Sequence, residues 1–455
     1  MSFRSINPHQ PSDVVGEFEE AGWRGVEEAV ARAREAFFEW SGQSASARGG
    51  ALAQIADETE ERAEELAQLA VREVGKPISE ARAELSRAVA TLRYYAQLVL
   101  VPDGETYPAT QATDWLIARR YPAGVCGLLT PWNFPVAIPV WKAAPALGYG
   151  NTVVLKPAPE STVTAQMLTE IVTRYLPEGA FQLVAGDAET GEPLVNHPDV
   201  AAVSFTGSTQ VGRMVAQQVV GRGAKVQCEM GGQNPSVVLA GADLDGAAQT
   251  IAYAAMGYAG QKCTATSRVI VEDAVYEDMR DRLVATVESL EVVDPENESC
   301  QVGPLIEKAS RESALDALER AGGNLLTGGK QLDSDGFYLE PTLVEVEDPG
   351  NPLAQEEVFA PVTALLRVGS AEEAVRLAND VRQGLVAAVF TNDLDKAMTL
   401  AGRLEAGLVR VNASTSGVDY HVPFGGSKES GIGPKEQGLA ARDFYTETRT
   451  LLISP

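Results

Sequence analysis

Apolar positions recur at helical spacing over residues 45–75, where Leu52, Ile55, Ala56, Leu66, Leu69 and Ala70 share one face and acids the other. That spacing predicts a helix stopped by Gly75-Lys76-Pro77, then a second from 78 to about 100, so the first hundred residues read as mostly helical. Residues 102–122 change character: Thr113-Asp114-Trp115-Leu116-Ile117-Ala118-Arg119-Arg120 has strand propensity behind a turn and predicts a protruding arm. From Val125 short apolar runs at 125–130, 151–156, 181–184 and 200–205 alternate with helical patterns. The alternation predicts an α/β fold with a parallel sheet, covered on both faces and binding ligands at the carboxyl ends of its strands. A second α/β unit opens at Val269-Ile270-Val271, with helices near 275–290, 307–321 and 371–382 and a strand at 387–390.

Composition narrows the class. The 455 residues exceed one ordinary core, so two domains with appendages are expected. No run of eighteen apolar residues offers a membrane span, and the N-terminus has no apolar leader, which points to a cytoplasmic protein. A net charge of −26 argues against nucleic acid and anionic membranes as partners. Only 10 of the 37 basic residues are lysine. An acid-rich, lysine-poor surface fits a salt-loving source, and equally an ordinary acidic enzyme. The four cysteines (126, 228, 263, 300) and three histidines (9, 197, 421) show no disulfide framework or metal spacing.

The candidate chemistry centres on 227–268. This stretch opens on Glu229-Met230-Gly231-Gly232 and closes on Gly260-Gln261-Lys262-Cys263, with the helix-compatible 247–260 between. An acid at a strand end and a thiol after a helix could face each other across a cleft, the pairing that covalent catalysis needs. At another strand end, Phe205-Thr206-Gly207-Ser208-Thr209-Gln210-Val211-Gly212 would offer free N–H groups to a phosphate, or is a plain strand-to-helix turn; it is not the G-x-G-x-x-G fingerprint.

Seven motifs in order make the chain resemble the aldehyde dehydrogenase superfamily. They are Thr130-Pro131-Trp132-Asn133-Phe134-Pro135, Lys156-Pro157, Phe205-Thr206-Gly207-Ser208-Thr209, Glu229-Met230-Gly231-Gly232, Gly260-Gln261-Lys262-Cys263, Glu356-Glu357-Val358-Phe359-Ala360-Pro361 and Pro423-Phe424-Gly425-Gly426. The resemblance implies that Cys263 attacks the aldehyde carbon, Asn133 with the Cys263 N–H stabilises the oxyanion, and Glu229 activates water to hydrolyse the thioester. Lys142 belongs to the same catalytic set. It also implies a dinucleotide held by Thr130, Trp132, Lys156, Thr206, Gly207, Ser208, Glu357 and Phe359. Relatives that prefer NAD often carry Glu three positions after the lysine; Pro159 stands there, so NADP is expected, with NAD accepted.

Within the superfamily, 411–426 and 433–438 look most like α-ketoglutaric semialdehyde (2,5-dioxopentanoate) dehydrogenases. The substrate carboxylate would need donors, for which Ser414, Thr415, Ser416, His421 and Arg268 are candidates. Other aldehydes, a CoA-acylating relative and a non-catalytic one are the competing readings. The implied architecture is a Rossmann-like cofactor domain (1–102 and 123–230), a catalytic domain (231–425) and a β-hairpin oligomerisation arm (103–122 and 443–455), giving a homodimer or homotetramer.

Overall fold

The apolar runs after Gly124 do form a parallel sheet. In the computed structural model, which describes residues 2–455, six strands lie in the order Gly431–Ile432, Lys225–Met230, Val200–Gly207, Val125–Thr130, Thr152–Pro157, Phe181–Leu183. All neighbours are parallel except the first pair. The strands Val125–Thr130, Thr152–Pro157 and Val200–Gly207 are almost wholly buried, as expected of a sheet covered on both faces. The helix Gly22–Ser41 packs on one side, while Ile78–Leu98 and Ala137–Gly148 pack on the other.

A second sheet of seven strands carries the other half: Asn324–Thr327, Thr342–Glu345, Val362–Val368, Thr266–Glu272, Asn234–Val238, Val386–Phe390, Leu408–Val411. Its core is the largest apolar cluster of the chain. Residues 426–442, outside the three segments expected from sequence, run back to the first sheet, where Gly431 pairs with Glu229. A third, three-stranded sheet joins Gly104–Tyr107, Trp115–Pro122 and Thr446–Ile453, all antiparallel. No helix among the described residues is long and apolar enough to cross a membrane.

Two sequence expectations need correction. The helix over 45–75 is two helices, Ala45–Glu61 and Ala63–Val74, because Arg62 leaves helical geometry at φ −99°, ψ 13°. The mostly helical start is preceded by a hairpin, Ser2–Ile6 with Val14–Glu19, held in part by the Phe3–Phe18 stack at 5.6 Å.

Candidate functional site

The two sheets meet at a thiol. After the helix Leu244–Met256 and its cap Gly257 come three residues of positive φ, Tyr258 (55°), Ala259 (53°) and Gly260 (65°), which swing the chain round to present Cys263. A Cβ at Gly260 would lie 2.3 Å from the Ala360 carbonyl oxygen, so both conformation and space demand glycine there. Cys263 is half-buried against an apolar cluster of Phe134, Ala137, Ile138, Trp141, Val418 and Phe424. Burial and the nearby Glu229, Glu357 and Glu436 push its thiol up, so it rests protonated.

Asn133 reaches the same place from the first sheet, in the turn after Val125–Thr130. Its Nδ2 donates to the Gln261 carbonyl at 2.9 Å, which fixes the amide beside the cysteine loop, while its Oδ1 is buried without a partner. The remaining amide hydrogen is free for a ligand.

Glu229 ends the strand Lys225–Met230, 4% exposed, with Oε2 unpartnered. Burial and then the charge of Glu436 drive its carboxyl well above the usual range. Gly425 clears its way, since a Cβ there would come within 2.4 Å of Glu229 Oε1. Behind it Lys142, fully buried, pairs with Glu436 and donates to Ser204 Oγ at 2.8 Å. Lys142 therefore serves Glu436 and Ser204. Glu229 itself has no ion-pair partner among the described residues.

A cleft of ≈ 550 Å³ opens beside this centre, lined by Thr130, Trp132, Lys156, Glu160, Asp187, Thr206, Gly207 and Ser208. Ser208 caps the helix Thr209–Gly221, its Oγ accepting from the Val211 N–H at 3.4 Å. Thr130 and Thr206 hydroxyls are buried and unpartnered, as lining that awaits a polar ligand would be. Lys156 Nζ donates to the Pro157 carbonyl, 3.0 Å. Across the cleft mouth Phe359 meets Trp132 edge-on at 5.8 Å, and Glu357 accepts from the Gly232 N–H at 3.2 Å, its carboxyl raised by burial to about 7. A dinucleotide fits this lining: the helix N-terminus suits a pyrophosphate and the free hydroxyls suit its polar edges.

The candidate substrate residues fare unevenly. Arg268 is corrected to a structural role: fully buried, it donates to the carbonyls of Gln233, Leu377 and Ala378, leaving no face for a ligand. Thr415 is likewise buried and shares a hydrogen bond with Thr266 Oγ1 at 2.9 Å. Ser416 Oγ donates to the Ala254 carbonyl and Ser414 Oγ accepts the Ser416 N–H; His421 is exposed beside Tyr420. Sequence reading missed Arg410. It sits two residues after Leu408 on one strand, hence on the same face, and Leu408 packs on the cluster around Cys263. Its Nη2 donates to the Gly417 carbonyl, its Nε is buried without a partner, and Asp419 and then Arg87 are its charged neighbours. A basic residue inside the Leu-Val-Arg-Val strand was the available signal.

A model described as the Aldehyde dehydrogenase family matches residues 1–451. The chain is similar to an alpha-ketoglutaric semialdehyde dehydrogenase of Bacillus subtilis, 42% identical over 99% of this chain and 94% of that protein. It is also similar to a 2,5-dioxopentanoate dehydrogenase of Saccharolobus solfataricus, 36% identical over 99% and 95%. A crystal structure of a betaine aldehyde dehydrogenase from Staphylococcus aureus, in complex with NAD+, superposes with a TM-score of 0.97 at 30% identity, covering 100% of this chain and 92% of the other.

Proposed function

The chain belongs to the aldehyde dehydrogenase family and oxidises an aldehyde; from that premise we propose that its substrate is α-ketoglutaric semialdehyde and its product 2-oxoglutarate, formed by a hydrolytic, dinucleotide-dependent route. The observation that carries this is the end-to-end likeness to enzymes of that name, joined to a site where thiol, amide and unpaired acid converge.

Cys263, once deprotonated, attacks the aldehyde carbon to give a thiohemiacetal. The free Asn133 N–H and the Cys263 backbone N–H take the oxyanion. A dinucleotide held by Thr206, Gly207, Ser208 and Glu357 would supply the hydride acceptor, so that collapse of the oxyanion leaves a thioester on Cys263. Glu229, buried with Oε2 unpartnered, then draws a proton from water, whose oxygen attacks the thioester and releases the acid and the thiol. A CoA-acylating enzyme has no use for that base, and a non-catalytic relative has no use for any of the three groups.

For the cofactor, Ser208 and the helix behind it suit the pyrophosphate, Thr206 and Gly207 the nicotinamide side, Glu357 its ribose, and Lys156 the adenosine ribose. Pro159 keeps one carboxylate away from that ribose, which supports NADP as the preferred form with NAD accepted. Glu160 lines the cleft nearby, but burial works against its charge. Replacing it with Gln should widen the preference for NADP.

Arg410, whose Nη2 donates to the Gly417 carbonyl of the loop that carries Ser414 and Ser416, suits the substrate carboxylate. The cofactor role of the first sheet, the catalytic role of the second and the assembly role of the third are part of the same reading. Thr446–Ile453 is exposed along nearly its whole length, with Leu452 at 63% and Trp115 next to it at 64%, a surface suited to a second copy in a dimer or tetramer. The acidic, lysine-poor surface supports a requirement for salt in a cytoplasmic setting.

The test is kcat/KM in high potassium chloride for α-ketoglutaric semialdehyde, succinic semialdehyde, glyceraldehyde 3-phosphate and an uncharged aliphatic aldehyde, with NADP and NAD. The keto-acid semialdehyde should win by a large factor, and Arg410→Gln should raise its KM while sparing the aliphatic substrate. A win for the aliphatic aldehyde overturns the substrate assignment.

A further inference from the structure

The helix Ile78–Leu98 carries two acids, Glu80 and Glu84, one turn apart and so on one face. Each holds a different half of the site. Glu84, buried, accepts from the N–H groups of both Val136 and Ala137 at 2.8 Å, just after Asn133, and pairs with the fully buried Lys76. The Lys76 ammonium lies 4.0 Å from the centre of the Phe134 ring and 4.8 Å from that of Tyr258. Glu80 pairs with Lys262, the residue before Cys263, at 2.6 Å and also accepts from the Tyr253 hydroxyl. Among the described residues, the one hydrogen bond directly between the two loops is that of the Asn133 amide on the Gln261 carbonyl.

Buried ion pairs are a poor source of stability, because desolvation consumes most of the Coulomb attraction. What they do supply is a fixed distance. We propose that Glu80 and Glu84, each with its lysine, are positioning residues: one rigid helix turn sets the spacing between the Asn133 amide and the Cys263 N–H, and so the geometry of the oxyanion hole. This rests on the reading of Asn133 and Cys263 given above. Neither acid touches the reacting atoms.

The test separates oxyanion stabilisation from thiol reactivity. Hydrolysis of p-nitrophenyl acetate at Cys263 needs both, whereas alkylation by iodoacetamide forms no oxyanion. The variants are Glu80→Gln, which is partly solvent-accessible and so the gentlest change, Lys262→Met with Lys262→Arg as its conservative counterpart, and the double variant Lys76→Met/Glu84→Gln. Folding is checked by circular dichroism and dinucleotide Kd. Ester hydrolysis and aldehyde oxidation should fall together, on the order of 100-fold for Lys262→Met, while alkylation stays within about twofold and Lys262→Arg recovers most of the loss. Equal loss of alkylation in folded variants, or no loss of ester hydrolysis in any of them, overturns the inference. Ester hydrolysis that survives Cys263→Ala overturns the underlying reading of the site and the inference with it.

Discussion

Two buried clusters of lysine and glutamate flank the same thiol, and they differ in one respect. In front, Glu80 and Glu84 each sit against an ammonium, and the pull of Lys262 keeps the Glu80 carboxyl below its ordinary range despite burial. Behind, Lys142 is committed to Glu436, so Glu229 is left buried, next to a second acid and without an ion pair. Pairing makes a carboxylate a fixed strut, and withholding the pair makes it a proton acceptor.

The sharpest way to break this picture is at the thiol they share. Cys263→Ala should reduce aldehyde oxidation at least ~10⁴-fold, since no other side chain offers the nucleophile. Cys126, Cys228 and Cys300 are buried, and burial pushes Cys228 and Cys300 up to about 12 and about 11, so none substitutes. Next, Asn133→Ala should lower kcat by roughly 10²–10³-fold with little change in dinucleotide Kd, as for loss of one oxyanion donor. The rear cluster gives a pH test. Because the Glu229 carboxyl is raised, its basic form is lost as pH falls, so turnover should climb with pH well above the usual carboxylate range. Lys142→Met removes the compensating charge and should move that limb up by about one pH unit, a tenfold loss at fixed pH on the limb. The smallest effect lies at Glu357. Its carboxylate exists above about 7, so dinucleotide binding should weaken roughly threefold to tenfold as pH drops through 7, and Glu357→Gln should flatten that dependence.

How much of this was legible depended on locality. Cys263, Asn133 and Glu229 sit at strand and helix ends whose flanking glycines and prolines are written beside them, and the strands were visible as unbroken apolar runs. Glu80, Glu84 and Glu436 were not visible, because Lys262, the Val136 N–H and Lys142, which they hold, lie 182, 52 and 294 positions away. Glu84 did leave a trace: it interrupts the buried stripe of Ala81, Leu85 and Ala88, where an exposed-face acid does not belong. Arg268 misled for the opposite reason. A cation five residues after Cys263 suggested a partner for the substrate carboxylate, and the carbonyls that satisfy it come from Gln233 and from the end of the helix Ala371–Asn379. The break at Arg62 has no glycine or proline to announce it, and the N-terminal hairpin strands are too short for alternation to stand out.

The most direct test of the unpaired-acid claim is a stopped-flow trace of Glu229→Gln with NADP and α-ketoglutaric semialdehyde, followed by intact-protein mass spectrometry. The account requires a burst of about one reduced cofactor per active site, then turnover slowed by roughly 10²–10⁴-fold, with the acyl group trapped on Cys263. Normal steady-state turnover, or a variant that forms no burst while still binding cofactor, would contradict it.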